Sequence, residues 1–283
     1  MLIEVGPATM VIAGEREGKA FPFERREIEA YVGQVLHEIR EALPILRLKA
    51  YRIKKTDYLP EAAKRMIGAV KAGDEATLTP MAAVAGAVAD LVKEHLSLTT
   101  ETDVLSVNNG GDISICNRSG RVMSIGIADI GSGVPTPYVL KVERTGFFGV
   151  ATSGFGGRSF TLGLADIVSV MAETAALADA AATLIANRTC VESAGVVRRK
   201  ARELDPLTDI PDELVTVDRG CLGADAVAAA VAKGEREAAR LKSAGVIDDA
   251  VVILKGCTMH TIDGKSSVKL EVSHGSKETC HRC

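Results

Sequence analysis

Two stretches of this chain read as buried helices, one of them apolar on every side, and a helix of that kind has no face to give to water. The first runs from Met81 to Val92 and includes Met81-Ala82-Ala83-Val84-Ala85-Gly86-Ala87-Val88-Ala89. Thr79-Pro80 introduces it, and proline suits the first position of a helix, where its missing N–H is not needed. The second, Met171 to Asn187, is Ala-rich and contains no helix breaker. Neither is a membrane span, because the first is 12 residues long and already contains Asp90, whereas spanning takes about 20 apolar residues. Helices of this kind belong inside a layered protein. The fold class expected is α+β, with a central mixed or antiparallel sheet around buried Ala-rich helices.

The sheet has its own signals. Val104–Val107, Ile113–Cys116, Val122–Ile127, Tyr138–Val142 and Phe147–Thr152 have strand composition and are punctuated by glycines, with a turn at Asn109-Gly110-Gly111. Upstream, Thr9 to Phe23 alternates as a hairpin edge and leads into an amphipathic helix over Arg25–Arg40. Leu48–Ile53 reads as a short strand, and Glu61–Lys71 as a helix closed by Gly73. Further on come a strand at Val168-Ser169-Val170, a polar linker over Arg198–Leu207, a strand at Glu213–Val217, a helix within Gly223–Gly245 and a last strand at Val251–Leu254. At 283 residues the chain suits one large domain or two modest ones. One domain over residues 1–255 is expected, followed by a polar appendix over 256–283 that carries Cys and His.

Charge and cysteine usage exclude several classes. The 34 Lys+Arg nearly cancel 37 Asp+Glu, for a net charge of -3, which leaves no basic footprint for nucleic acid. Six cysteines are too sparse for a disulfide framework and fit a reducing compartment. The start, MLIEVGPATM, lacks the basic and apolar regions of an export signal, so a cytoplasmic location is expected, with no membrane partner. Aromatics make up 4% of the chain and Trp is absent, so backbone and polar groups are expected to hold any ligand.

Four constellations carry possible chemistry. Asn108, Asn109, Gly110, Gly111 and Asp112 form a glycine turn at which a backbone can approach a ligand closely. Asn109 tolerates positive φ, and Asp112 can accept ligand hydroxyls. A plain hairpin turn is the other reading. Thr152, Ser153 and Gly154, with Arg158 after them, gather hydroxyls, exposed amides and a guanidinium that suit phosphate oxygens. The segment matches neither the Walker nor the Rossmann pattern, and a glycine-rich hairpin without ligand is equally compatible. Asp179 and Thr183 stand one helical turn apart and share a face, as two oxygen ligands for Mg²⁺ or as a solvated Asp beside a packing Thr. Cys257, His260, Cys280, His281 and Cys283 have a spacing that resembles a zinc ribbon, set against a loose tail whose thiols cluster. Ser-His-Asp chemistry has no support, since no histidine falls in the glycine-rich centre.

Taken in order, Val107-Asn108-Asn109-Gly110-Gly111-Asp112-Ile113, Val150-Ala151-Thr152-Ser153-Gly154, Val168-Ser169-Val170 and Ala178-Asp179-Ala180-Ala181-Ala182-Thr183 resemble the ApbE-like flavin transferase superfamily. Thr79-Pro80-Met81-Ala82-Ala83-Val84-Ala85-Gly86 and Gly157-Arg158-Ser159-Phe160 look like an uncharacterised branch of it. The resemblance implies that the glycine turn, with Asn109 and Asp112, and the Thr-Ser-Gly segment line a flavin dinucleotide site for FAD or FMN. It also implies that Asp179 and Thr183 bind Mg²⁺ beside the pyrophosphate. The implied reaction passes FMN from FAD to a protein hydroxyl. The superfamily's His-apolar-apolar-Asp-Pro motif is replaced here by Arg158-Ser159-Phe160-Thr161-Leu162-Gly163, without the expected histidine. A second alignment sets Asp205-Pro206 on that motif and Asp225 on the metal aspartate, but it places Ala229 where the hydroxyl belongs, so Asp179 and Thr183 are preferred.

The function expected is therefore binding of a small phosphate-bearing ligand, a flavin nucleotide with Mg²⁺, by an ApbE-like protein related to the FMN transferases. Two alternatives stand beside it. One is a non-catalytic assembly module on the same scaffold, the other a regulatory protein using zinc in the Cys/His tail. Exposed sheet edges would favour a homodimer.

Overall fold

The computed structural model describes residues 1–272. In chain order, β1 (Leu2–Val5), β2 (Ala8–Arg16) and β3 (Lys19–Ala20) precede α1 (Arg25–Leu46), α2 (Glu61–Gly73) and α3 (Val84–Thr99). Five strands follow: β4 (Val104–Asn109), β5 (Asp112–Asn117), β6 (Met123–Ala128), β7 (Pro135–Val142) and β8 (Gly146–Ser153). After β9 (Ile167–Ala172) come α4 (Ala175–Arg188), β10 (Val197–Lys200), β11 (Leu214–Asp218) and α5 (Ala224–Ser243). The last described elements are β12 (Asp249–Leu254), β13 (Cys257–His260) and β14 (Val268–Val272). Helices and antiparallel strand pairs together make an α+β protein.

The chain forms two compact units. The first gathers Met1–Arg121, Arg144–Ala151 and Met171–Ala181, and the second gathers Val122–Glu143, Thr152–Val170 and the chain from Ala182 onward.

In the first unit the strands are ordered β1-β2-β4-β5-β8, with β3 on β2, and the pairs from β1 to β8 are antiparallel. Strict alternation in β2 buries Ala8, Met10 and Ile12 and exposes Thr9 and Val11, the period of a sheet with one covered face. Helix α1 buries Ile28, Val32, Val35, Ile39, Ala42 and Leu46, a single stripe at three- and four-residue steps. By contrast α3 buries every residue from Gly86 to Lys93, including Asp90. This is the outcome required of an apolar-all-round sequence.

The second unit holds an antiparallel sheet ordered β14-β7-β6, the β10–β11 pair and the β12–β13 hairpin. Leu164, Val191, Leu222, Ala230, Val231 and Leu254 make one of its core clusters. Gly163 lets the chain pass close to α4, because a Cβ there would lie 1.8 Å from the Ala186 carbonyl oxygen.

Three segments differ from expectation. Leu48–Ile53 is not a strand but contains a 3-10 turn at Ala50–Arg52. Its amides donate to Leu78 and Glu75 carbonyls in a loop, so no strand is available to pair with it. Arg198–Leu207 is not a plain linker, since its first residues lie in β10, which pairs with β11 through backbone bonds that need no apolar side chains. The Ala-rich run expected from Met171 begins its helix only at Ala175, because Met171 and Ala172 continue β9.

Candidate functional site

The glycine turn is a tight hairpin. Asn109 pairs with Asp112 across β4 and β5, and the two residues between them, Gly110 and Gly111, have φ of 68° and 112°. Positive φ at both central positions is the demand of the hairpin turns that match strand twist, and glycine meets it without strain. Asn108 supports the turn, its Oδ1 accepting from the Gly111 amide at 2.8 Å. Asn109 is not at positive φ. It is buried at the end of β4, where its Nδ2 donates to the Ala85 carbonyl at 3.1 Å. Asp112 opens β5, partly exposed.

The Ala85–Gly86 peptide held by Asn109 is also held from its other side. Gly86 N–H donates to Asp179 Oδ2 at 3.0 Å, and the Ala85 N–H adds a second backbone hydrogen bond to the same carboxylate. These amides belong to the first turn of α3, which has no intrahelical partners for them and no side-chain cap of its own. Asp179 therefore caps α3 from α4.

The relation is reciprocal. Asp90, in the middle of α3, accepts from the Ala175 amide at 3.0 Å through Oδ1 and from the Ala176 amide at 2.9 Å through Oδ2. Those are the first two residues of α4. Ser114 on β5 donates to Asp90 Oδ1 at 2.5 Å, and Thr174 Oγ1 accepts from Leu177 N–H at 3.2 Å as a local cap. Asp90 thus explains why α4 starts where it does.

Glycines allow the two helix starts to meet. A Cβ on Gly86 would lie 2.2 Å from the Ala175 carbonyl oxygen, and one on Gly149 of β8 would lie 2.2 Å from the Ala175 nitrogen. Both contacts are with backbone, which cannot rotate aside.

Electrostatically the two caps differ. Burial raises the Asp90 carboxyl, while the Ser114 hydroxyl, the Ala176 and Ala175 amides and the Lys93 ammonium draw it back. Burial also pushes Asp179 well above the usual carboxylate range. The Asp112 carboxylate adds to that, and only the Gly86 and Ala85 amides oppose it before Asp90 raises it again. Asp112, far from Asp179 in sequence, is thus near enough in the first unit for its charge to raise it.

The remaining expected residues lie in the second unit. Thr152 Oγ1 donates to Ser169 Oγ at 3.3 Å, and the Ser153 hydroxyl has no hydrogen-bond partner among the described residues. Gly154 leaves room for the chain opposite, since a Cβ there would lie 2.4 Å from the Asp166 carbonyl oxygen. Arg158 is exposed. Thr183 follows Asp179 by one turn of α4 and is partly exposed. At the tail, Cys257 pairs with Leu254 and His260 with Val251 in the β12–β13 hairpin. Three residues apart on a strand, their side chains leave opposite faces. Cys280, His281 and Cys283 lie outside the described residues, and among the described residues no group of three or more His, Cys, Asp or Glu is placed to hold a metal ion.

A family model described as AbpE bacteria matches residues 1–264. The chain belongs to this family. A UPF0280 protein of Methanopyrus kandleri is 34% identical over 204 residues, 71% of this chain and 77% of its own. One from Methanosarcina barkeri is 36% identical over 129 residues, and there the match spans only 49% of the relative's length. Among solved structures, the flavin transferase ApbE from Vibrio cholerae aligns over 95% of this chain and 98% of its own, at 13% identity and a TM-score of 0.44. A mutant of that transferase gives a TM-score of 0.46. No helix among the described residues of this AbpE-family chain is long and apolar enough to cross a membrane.

Sequence reasoning missed the roles of Asp90 and Ser114. Asp90 did carry a signal, as a single acid within an otherwise apolar run, and a buried carboxylate in such a place requires hydrogen-bond donors.

Proposed function

We propose that this AbpE-family protein binds a phosphate-bearing ligand, a flavin nucleotide in the first instance, together with Mg²⁺ held by Asp112 and Asp179. The observation that carries the reading is the Ala85–Gly86 peptide, held from one side by Asp179 and from the other by Asn109 of the glycine turn, with Asp112 near enough to raise Asp179. A carboxyl group raised by a neighbouring carboxylate is eased when a cation sits beside it. The Gly86 and Ala85 amides draw Asp179 back from the rise that burial and Asp112 cause, toward the carboxylate that a cation needs. The donor set fits the ion, because Mg²⁺ is a hard cation commonly held by one or two carboxylates, with phosphate oxygens and water completing its shell. Bound there, the ion would offset the negative charge of a phosphate group.

The Asn108–Asp112 turn as a contact to the nucleotide follows from the resemblance to flavin transferases. Binding is the activity proposed, because the interval from Phe155 to Ala165 contains no histidine to act as a base.

Titration of FAD, FMN and ADP with and without Mg²⁺ tests the proposal on the natural chain, Asp112→Asn and Asp179→Asn. Mg²⁺ is expected to tighten binding to the natural chain by about tenfold or more, a ratio equivalent to about 1.4 kcal/mol, and to leave both variants unaffected. Equal, weak binding by all three proteins with and without the ion would overturn it.

A further inference from the structure

We propose that a groove in the second unit is a binding site for a small oligophosphate, a ligand with two or three linked phosphoryl groups, independent of Asp112 and Asp179. The groove has a volume of about 600 Å³, within the ordinary range of small-molecule sites. The end of α4 contributes Asn187 and Arg188, and α5 contributes Lys233, Arg236, Glu237 and Arg240. The four α5 residues recur at three- and four-residue steps, so they share one helix face. Four cations thus surround one carboxylate, in a chain whose net charge is -3.

The hydrogen bonds show which groups remain for a ligand. Glu237 is nearly buried, with its side chain 12% exposed, and it accepts from Arg240 Nη2 at 2.6 Å and Nε at 3.0 Å, with Arg188 Nε at 3.8 Å. It holds two guanidinium groups side by side at the cost of one charge. Lys233 Nζ donates to the Cys190 carbonyl at 2.8 Å, which tethers the ammonium and leaves it two further protons to donate. Asn187 Oδ1 accepts from the Leu162 amide at 2.9 Å, so its NH₂ is the part left to donate. Arg236 is exposed and makes no hydrogen bond or ion pair among the described residues.

What remains are the donors of Lys233, Arg236 and Asn187, beside the two guanidinium groups gathered at Glu237. Their complement is a multiply charged ligand made of acceptors, and guanidinium forks match phosphate oxygens in pairs. The cations extend along two turns of α5, about 10 Å, which exceeds what one phosphate ion can bridge. Duplex nucleic acid would call for a longer basic track than one helix face.

Calorimetric titration of the full chain with inorganic triphosphate, and with sulfate for comparison, tests the site at low and high salt. Triphosphate is expected to bind at least about tenfold more tightly than sulfate and to weaken with salt. Arg236→Ala is expected to weaken it by about tenfold, the scale of one charge-assisted contact, and Arg236→Glu by more. Asp112→Asn should bind triphosphate as the natural chain does. Melting curves confirm that the variants are folded, and Lys233→Gln repeats the test at a second position. Triphosphate binding no tighter than sulfate, or unchanged in both Arg236 variants, would overturn the proposal. So would binding that disappears in Asp112→Asn, which would put the triphosphate at Asp112 and Asp179, or tighter binding of a short DNA duplex.

Discussion

Asp90 and Asp179 are built alike and live differently. Each sits inside an apolar helix and accepts the unpaired amides at the start of the other's helix. Asp90 then finds a hydroxyl from Ser114 and the influence of the Lys93 ammonium. Asp179 finds a second carboxylate, Asp112. The same capping task thus meets a hydroxyl and an ammonium at one helix start and a second carboxyl group at the other. The difference separates a carboxylate held by its neighbours' donors from one raised by a neighbouring acid.

Removing the Asp90 cap should have the largest effect. Asp90→Ala strands two backbone amides and the Ser114 hydroxyl in the interior, and a loss of about 3–5 kcal/mol is expected from breaking such a buried charged network. Urea unfolding checks it, and a loss below about 1 kcal/mol would make Asp90 no more than a surface cap.

The meeting point of the helices comes next. Gly86→Ala forces a methyl against the Ala175 backbone, with an expected cost of about 2–3 kcal/mol by overpacking. The same substitution at Gly68, where a Cβ meets nothing within 4 Å, should stabilise by a few tenths to about 1 kcal/mol. A similar response at both positions would remove the close approach from the account.

The smallest effect is the most specific. Asp179 is raised in the folded state, so its contribution to stability is fully present below the ordinary carboxylate value and is lost as pH rises through the folded value. Asp112→Asn removes one cause of that rise. The variant is therefore expected to lose less stability than the natural chain between mildly acidic and neutral pH, when urea midpoints are compared across that window. Parallel pH profiles for the two proteins would mean that Asp112 does not influence Asp179.

Much of this architecture was legible because it depends on local pattern. The buried α3 follows from Ala-Val-Ala-Gly-Ala-Val-Ala alone, and the hairpin at Gly110-Gly111 from two residues that accept positive φ. The capping network was not legible, since Asp90 reaches amides 85 residues downstream and Asp179 one 93 residues upstream. A local pattern says that a buried carboxylate needs donors, but only the folded chain says whose. The nearness of Asp179 to Asp112 was hidden for the same reason, whereas Asp179 with Thr183 was visible as a four-residue step. The Leu48–Ile53 segment shows the converse error, in which strand-like composition lacked a neighbouring strand to make it one.

The exchanged caps also bear on how the chain assembles. Neither helix completes its opening turn from its own residues alone, so each depends on a segment far away along the chain. During synthesis α3 emerges first and keeps a frayed start until α4 has left the ribosome and docked. The two should therefore be won or lost together, and a fragment ending before α4 should hold α3 only loosely.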